Sequence, residues 1–525
     1  MPFPRPERGQ PLTLAAVVEV IGSDTARLID GSGGPAGDLE VTGVSLDTAT
    51  VRPGDLWAAL PGARVHGADF VEAAAAAGAR AVLTDPDGVA RIAAKSTEKG
   101  VDLPVIETAG PRARLGAVSA AVYDSAAKRP TMFGVTGTNG KTTTAYLLVS
   151  ALEALERTTG LIGTIETRVA EERIKSVRTT PESTDLHGLL AVMGERGVDD
   201  CVMEVSSHAL SLHRVDEVRY DVALFTNLSQ DHLDFHHTME DYFRAKASLF
   251  TPERSRHGVV CIDDEWGLRL AGEATVPVTT VTSRLDVEAD WVIGGDPREP
   301  DLTLTGSDEV PHLRSSLPGD FNRVNTAMAV VALIEVGVAS RDAAGAVLTR
   351  PDVPGRMELV GPSDTGRADL EDLPTALVDF AHTPDAVGAV LSALRPQTNG
   401  QLVVVLGAGG SRDPGKRAGM GAAAAAHADV VIVTDDNPRD EEPSMIRDAV
   451  ADGVWPRSRA TLEVVPGRVA AIERAVEIAC DAGPGATVAV LGKGHEQGQE
   501  IRGEVRDHDD RVVLRAALDQ RSVAG

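Results

Sequence analysis

The sequence predicts an α/β protein of about three domains whose sheets are mainly parallel. Length is the first reason: 525 residues, at roughly 150 residues per domain, fill about three domains rather than one core. The second is an alternation of short β-branched runs with alanine-rich helical stretches, the order in which strands and covering helices follow one another in parallel sheets. The third is a glycine-rich segment, Gly134–Thr143, that follows a strand-like run and opens a helix-like one.

Taken in chain order, the strand candidates are Met132–Val135, Cys201–Val205, Val222–Phe225, Leu402–Leu406, Val430–Thr434 and Thr487–Leu491. Each is a nearly continuous apolar run, the pattern of a strand covered on both faces. Thr143–Leu155 reads as the helix after the glycine-rich segment. The alanine runs Ala73–Ala77 and Ala422–Ala426 raise helix propensity and carry no chemistry. Proline and glycine cluster at 109–111 and 351–355, which divides the chain into blocks 1–109, 110–352 and 353–525. Each block is long enough to bury its own core.

Charge and composition narrow the function. Lys plus Arg number 51 against 78 Asp plus Glu, a net charge of −27. Such a field repels nucleic acid and anionic membranes, so neither is expected as a partner, and an anionic substrate needs a locally basic pocket. Cys201, Cys261 and Cys480 show no metal-ligand spacing, which excludes a disulfide framework or zinc finger and points to a reducing cytoplasm. Met1–Gln10 has three prolines, two arginines and no apolar run, unlike a secretory signal. The apolar stretch Ala327–Val338 is interrupted by Glu335 and too short to span a bilayer, so no membrane insertion is expected.

Three segments carry chemistry. In Gly134–Thr143 the backbone N–H groups and helix N-terminus suit phosphate, with Lys141 reaching the β/γ-phosphates and Thr142 placing a hydroxyl on Mg²⁺. The usual G-x-x-x-x-G-K-S/T pattern fails at one position, where Val135 replaces its first glycine. Glu204 ends a buried-type strand, where such a sheet puts a second metal-directed acid; an ordinary exposed glutamate fits the same position. Thr226–His236 packs amide, carboxylate and imidazole groups behind a strand, the end at which α/β enzymes bind ligands. Gly407–Arg412 also follows a strand, but Arg412 stands where a dinucleotide fingerprint needs its third glycine.

The blocks Gly137–Thr143, Met203–Leu210 and Asn227–Asp234 are followed by Gly319–Asn322 with Asn325, Pro354–Glu358, Asp379–Pro384 and Asp436–Arg439. In that order they resemble the signature blocks of the Mur ligases, ATP-dependent amide ligases that build the cytoplasmic peptidoglycan precursor. The pattern is most similar to members that add the third peptide residue. The resemblance implies a domain holding a UDP precursor, a central P-loop ATPase-like parallel sheet and a carboxyl-terminal Rossmann-like domain bringing the amino acid. It further implies a monomer joining meso-2,6-diaminopimelate to UDP-N-acetylmuramoyl-L-alanyl-D-glutamate through an acyl phosphate, with ATP and Mg²⁺.

Residues follow by motif position. Catalysis falls to Lys141, Glu204, His232 and Lys246, with Thr142, Glu204, His232 and Lys246 on the metal side. Lys246 matches the family lysine that CO₂ converts to a carbamate, a carboxylate able to bind a hard cation. ATP is expected on Gly137, Thr138, Asn139, Gly140, Lys141, Thr142 and Thr143, with Asn325, Arg356 and Asp379 at adenine and ribose. The uridine end falls to Leu46, Thr48, Ala63, Arg64 and Val65, and the peptide end to Thr179, Thr180, Ser206 and Arg214. Diaminopimelate is expected on Arg412, Asp436, Asn437, Pro438, Arg439, Gly492 and Glu496, with Arg412 and Arg439 as paired carboxylate receptors. Three departures stand out: Thr48-Ala49 replaces Ser-Arg, Leu212 replaces a glutamine, and Phe380 replaces a tyrosine while keeping a stacking face.

Overall fold

A computed structural model describes residues 3–7, 11–31, 33–62, 64–307, 309–349, 351, 353–363, 373–454 and 459–524. The apolar runs become the inner strands of separate sheets. Thr131–Thr136, Asp200–Glu204, Tyr220–Phe225 and Ser255–Cys261 lie in an eleven-stranded sheet whose middle pairs are parallel. Its outer strands, Glu166–Val169 and Glu172–Lys175 at one edge and Asp301–Thr305 and Glu309–Arg314 at the other, are antiparallel. Thr375–Asp379, Thr487–Leu491, Leu402–Leu406, Val430–Val433 and Thr461–Val464 form the parallel part of a six-stranded sheet. A five-stranded sheet takes Ala26–Ile29, Val105–Thr108, Ala81–Thr84, Asp55–Ala59 and Gly43–Ser45, only the first pair antiparallel.

Side-chain alternation explains the continuous apolar runs. Phe133, Val135, Val202, Val222 and Leu224 enter one core of the central sheet, while Met132, Cys201, Met203, Ala223 and Phe225 enter the other. Both faces are dry along these apolar positions, and the water-facing residues, such as Thr131, Asp221 and Arg256, sit at the strand starts. The first core is closed by helices Lys141–Ala154 and Asp320–Glu335; Ala327–Leu333 lie wholly buried in the second of these, so the long apolar run is a core helix. Among the described residues no helix is long and apolar enough to cross a membrane.

Two boundaries differ from expectation. The helix after the glycine-rich segment starts at Lys141 rather than Thr143, because Gly140 takes φ 86° and releases the chain into helix at once. The helix Leu115–Tyr123 lies beyond the expected break at 109, yet Leu115, Val118 and Val122 pack with Val44, Leu56 and Ile106 of the five-stranded sheet. Their spacing makes one apolar helical stripe, which packs in the same core as Leu14, Val17 and Ile21.

Candidate active site

The glycine-rich loop joins strand Thr131–Thr136 to helix Lys141–Ala154. Val135 is the last core residue before it, buried in the strand, which is why a glycine is not needed there. Gly137 at φ 146° does need to be glycine: a Cβ there would run into Thr226 Oγ1, and one on Gly140 would sit 2.6 Å from Asn325 Oδ1. The loop is tied down from the neighbouring strand end. Thr138 N donates to Asn227 O at 2.9 Å, Asn139 N to Asn227 Oδ1 at 2.9 Å, and Thr226 Oγ1 to Asn139 O at 2.6 Å.

Below the loop, Thr142 Oγ1 donates to Glu204 Oε2 at 2.8 Å, and Thr164 donates to the same carboxylate from N at 2.8 Å and from Oγ1 at 3.0 Å. Glu204 is fully buried, so the alternative of an exposed strand-end glutamate is excluded. Thr142 Oγ1 also accepts from Arg356 Nη2 at 3.2 Å, and that guanidinium stacks 4.5 Å from the Phe380 ring centroid. Sequence matching put Arg356 at adenine and ribose; the structure places its guanidinium beside the Thr142 hydroxyl. Asp379 accepts from Met357 N and Ala381 N, both at 2.8 Å, and burial raises its pKa against the pull of Arg356. Asn139, Gly140, Thr143, Asn325, Arg356, Asp379 and Phe380 line one cavity of about 1430 Å³.

Two lysines meet at one carbonyl. Lys141 Nζ donates to Gly137 O and Thr138 O, both at 2.9 Å, and Lys246 Nζ donates to Gly137 O at 2.8 Å. Lys246 is buried on helix Met239–Ala247, its ammonium 4.7 Å from the Tyr242 ring centroid. Burial pushes Lys246 well below its ordinary range, with Lys141 pushing the same way. Burial also lowers Lys141, where Glu204 opposes it.

The Thr226–His236 cluster centres on Asp231, which the expected site omitted. Its buried carboxylate faces Lys416 Nζ at 3.2 Å, His232 Nε2 at 3.5 Å and His382 Nε2 at 3.6 Å. Burial opposes ionisation, but the His382 hydrogen bond and these neighbouring charges hold Asp231 far below the usual carboxylate range. Burial lowers the His232 pKa against the pull of Asp231, although the ring is 40% exposed. Among the described residues no three His, Cys, Asp or Glu side chains converge as a ready metal cage, and His232 turns to Asp231 rather than to Glu204.

Among the residues expected at the peptide end, Thr180 Oγ1 donates to Glu204 O at 2.9 Å and accepts from Ser206 N at 3.1 Å, and Thr179 shares a 3.0 Å hydroxyl contact with Thr164. Arg214 pairs with Glu182 at 2.9 Å; Arg112 and Arg178, which sequence reading missed, reach the same carboxylate at 3.1 and 2.9 Å. Leu46 and Thr48 follow strand Gly43–Ser45, and Arg64 and Val65 follow its parallel neighbour Asp55–Ala59, so they share one sheet end. Ala63 lies outside the described residues.

In the six-stranded unit, Asn437 Nδ2 donates to Glu496 Oε2 at 2.9 Å, and buried Lys493 donates to both Glu496 (2.8 Å) and Asn437 Oδ1 (3.0 Å). Gly492 at φ 114° leaves room for Asp436, whose Oδ2 would lie 2.8 Å from a Cβ there. Pro438 crosses Gly410 closely, its carbonyl filling the place of a Cβ. Arg412 and Arg439 flank Gly409, each facing a different carboxylate. Arg439 Nε pairs with Glu500 at 3.0 Å, whereas Arg412 turns to Asp234 of the central unit at 3.8 Å. The cause is competition: each arginine finds a carboxylate within the chain. Lys493 and Glu500 have no local signature that would have named them.

Family models for the Mur ligase middle domain, the Mur ligase glutamate ligase domain and the Mur ligase family catalytic domain match residues 135–333, 355–494 and 40–123. The UDP-N-acetylmuramoyl-L-alanyl-D-glutamate-2,6-diaminopimelate ligase of Streptomyces avermitilis is 49% identical, over 99% of this chain and 99% of its own. The chain belongs to the Mur ligase family. A Mur relative from Leifsonia xyli subsp. xyli, named UDP-N-acetylmuramyl-tripeptide synthetase, is 44% identical over 98% of both chains. A solved structure of a UDP-N-acetylmuramoyl-L-alanyl-D-glutamate-2,6-diaminopimelate ligase aligns with a TM-score of 0.61 at 29% identity, covering 93% of this chain and 97% of that one. The three large sheets described for this Mur ligase are therefore the α/β architecture that the sequence predicts.

Proposed function

We propose that this Mur ligase uses ATP to join 2,6-diaminopimelate, as the meso isomer, to UDP-N-acetylmuramoyl-L-alanyl-D-glutamate. The observation that carries the reading is the meeting of Thr142, Glu204 and Arg356 beneath a glycine loop that also holds Lys141; the relatives supply the substrate class. Blocks 1–109, 110–352 and 353–525 would bind precursor, ATP and amino acid in turn. The reaction belongs in the cytoplasm, in keeping with unpaired cysteines, and the enzyme acts as a monomer.

A carboxylate is a poor acyl donor, so the D-glutamate side-chain carboxylate attacks the γ-phosphorus, the bond to the bridging oxygen breaks, and ADP leaves with its electron pair. The amine then attacks the acyl carbon, phosphate departs, and the amine proton is released. Lys141, Arg356 and the helix N-terminus neutralise charge on the transferring group, and no protein nucleophile is required. The donor set fits Mg²⁺: a threonine hydroxyl and a buried carboxylate are hard oxygens, and Mg²⁺ takes the rest of its shell from water and phosphate. Thr142 and Glu204 would hold it, His232 contributes an imidazole nearby, and the ion would supply phosphate neutralisation. Lys246 suits carbamylation because a buried amine of depressed pKa is a nucleophile for CO₂. Asn325 and Asp379 face the nucleoside, Thr179, Thr180, Ser206 and Arg214 the peptide, and Leu46, Thr48, Ala63, Arg64 and Val65 the uridine. Arg412, Asp436, Asn437, Pro438, Arg439, Gly492 and Glu496 receive the amino acid.

The test is ADP release with ATP, Mg²⁺ and precursor, using meso-diaminopimelate, LL-diaminopimelate or L-lysine in parallel. Release that depends on both co-substrates and favours the meso isomer supports the proposal. Equal phosphate release without either co-substrate marks a simple NTPase instead.

A further inference from the structure

Strand Gly498–Ile501 pairs with Glu504–Asp507 in a small two-stranded sheet, and its other side is stitched to the loop 436–439. Gln499 Nε2 donates to Asp436 O at 2.6 Å, Glu500 N to Asn437 Oδ1 at 2.9 Å, Arg439 N to Glu500 O at 3.0 Å, and Arg502 N to Arg439 O at 2.8 Å. Arg439 is held at φ 51°, a left-handed conformation that a residue with a side chain keeps only when its surroundings enforce it. The 3.0 Å contact between Arg439 Nε and Glu500 Oε2 is therefore set by backbone, not by two side chains meeting at random on a surface.

We propose that Glu500 is a built-in placeholder for the distal carboxylate of the amino-acid substrate. It occupies Arg439 until that carboxylate displaces it, and so sets how sharply the site prefers a dicarboxylic amino acid. The inference rests on the reading that Arg439 receives the distal end of the substrate.

The contact has the strength a placeholder needs. Glu500 reaches the guanidinium through Nε alone, while Nη1 is turned to Gly410 O at 2.7 Å. An incoming carboxylate that engages two nitrogens of the fork outbids a single-point contact. The Glu500 side chain is 41% exposed, so once displaced it returns to water at little cost. L-Lysine brings no distal carboxylate, and Glu500 then stays on Arg439. The guanidinium is never left unpaired, which removes much of the penalty that makes such sites reject the lacking analogue. Glu500 thus weakens binding of diaminopimelate and softens the rejection of lysine.

Steady-state kinetics of full-length Glu500→Gln test this, with ATP, precursor and either meso-diaminopimelate or L-lysine. Because partly exposed ion pairs are weak, KM for diaminopimelate should fall about two- to fivefold. KM for ATP should not move, and the kcat/KM ratio of diaminopimelate to lysine should rise by at least the same factor. Glu500→Ser should reproduce the shift if the lost carboxylate is the cause. Placed on Arg439→Ala, Glu500→Gln should change nothing, since the two residues act as a pair. An unchanged or raised KM in Glu500→Gln, with Arg439→Ala still impairing diaminopimelate use, overturns the placeholder alone. Intact diaminopimelate use by Arg439→Ala overturns the pocket reading, and the placeholder with it.

Discussion

Replacing Arg356 by alanine should lower kcat far more than it raises KM for ATP. The guanidinium crosses from the carboxyl-terminal unit to donate to Thr142 Oγ1 at 3.2 Å, next to Glu204. Burial pulls its pKa down while Asp379 and Glu204 pull it up, the balance of a cation kept dry by two carboxylates. A preorganised donor of this kind, aimed at developing charge, is worth about 2.7–4 kcal/mol, or about 10²–10³ in kcat. The chain should still fold, because Asp379 keeps its two backbone donors at 2.8 Å. Arg356→Lys should recover only part of the rate, since it restores the charge without the planar fork or the stacking on Phe380. The assay is ADP release at saturating ATP, precursor and amino acid, with KM for ATP measured separately. A rise in KM for ATP with kcat within about threefold of the parent would refute the phosphate-end placement and return Arg356 to the nucleoside.

Lys246→Ala should lose about 10²–10³ in kcat, and short carboxylic acids should restore part of it; full activity in bicarbonate-free buffer would rule out the carbamate. Arg439→Ala should cost about 2 kcal/mol in kcat/KM for diaminopimelate, the low end for a charged pair because its side chain is 22% exposed, and much less for lysine; equal losses on both substrates would exclude a carboxylate receptor. Asp200 is buried beside Arg157, and burial raises its pKa to about 6. A raised carboxyl pKa means the unfolded chain gives up its proton first, so stability is intact below about pH 4 and declines until about pH 6, by about 2–3 kcal/mol. The gain in melting temperature of Asp200→Asn over the parent should therefore be larger at pH 7.5 than at pH 5, and the opposite order would show that the Arg157 pair outweighs the burial.

Inner strands were legible because burial on both faces writes itself as a continuous apolar run, as in Leu402–Leu406 and Thr487–Leu491. Edge strands such as Glu172–Lys175 were not, since three of their four residues are charged and only one face meets protein. Chemistry packed into contiguous residues was equally visible: Gly137–Thr143 holds its own phosphate-directed donors. Contacts across units were not. Arg356 meets Thr142 from 214 residues away and Lys416 meets Asp231 from 185, distances at which no local pattern signals a partner. The present partners of Arg439 and Arg412 were hidden for the same reason, because Glu500 and Asp234 are chosen by the fold rather than by spacing.

The shared carbonyl of Gly137 ties the loop lysine to Lys246. With donor distances of 2.9 and 2.8 Å to one oxygen, the two nitrogens are no more than about 5.7 Å apart, and two ammonium charges there repel by about 3 kcal/mol at an effective dielectric of about 20. One of them must yield its proton more readily. Lys141 has Glu204 as its strongest opposing charge, whereas Lys246 has Lys141 pressing on it and only Asp231 in its favour, so Lys246 is the more strongly depressed of the two. Neutrality is what attack on CO₂ requires. On the proposed carbamate the charge facing Lys141 would be negative, and a repulsion of about 3 kcal/mol between two ammonium groups would become an attraction of the same order. The arrangement that makes an unmodified Lys246 costly to protonate is therefore the one that would favour the proposed modification, with Lys141 as the neighbouring cation in both states.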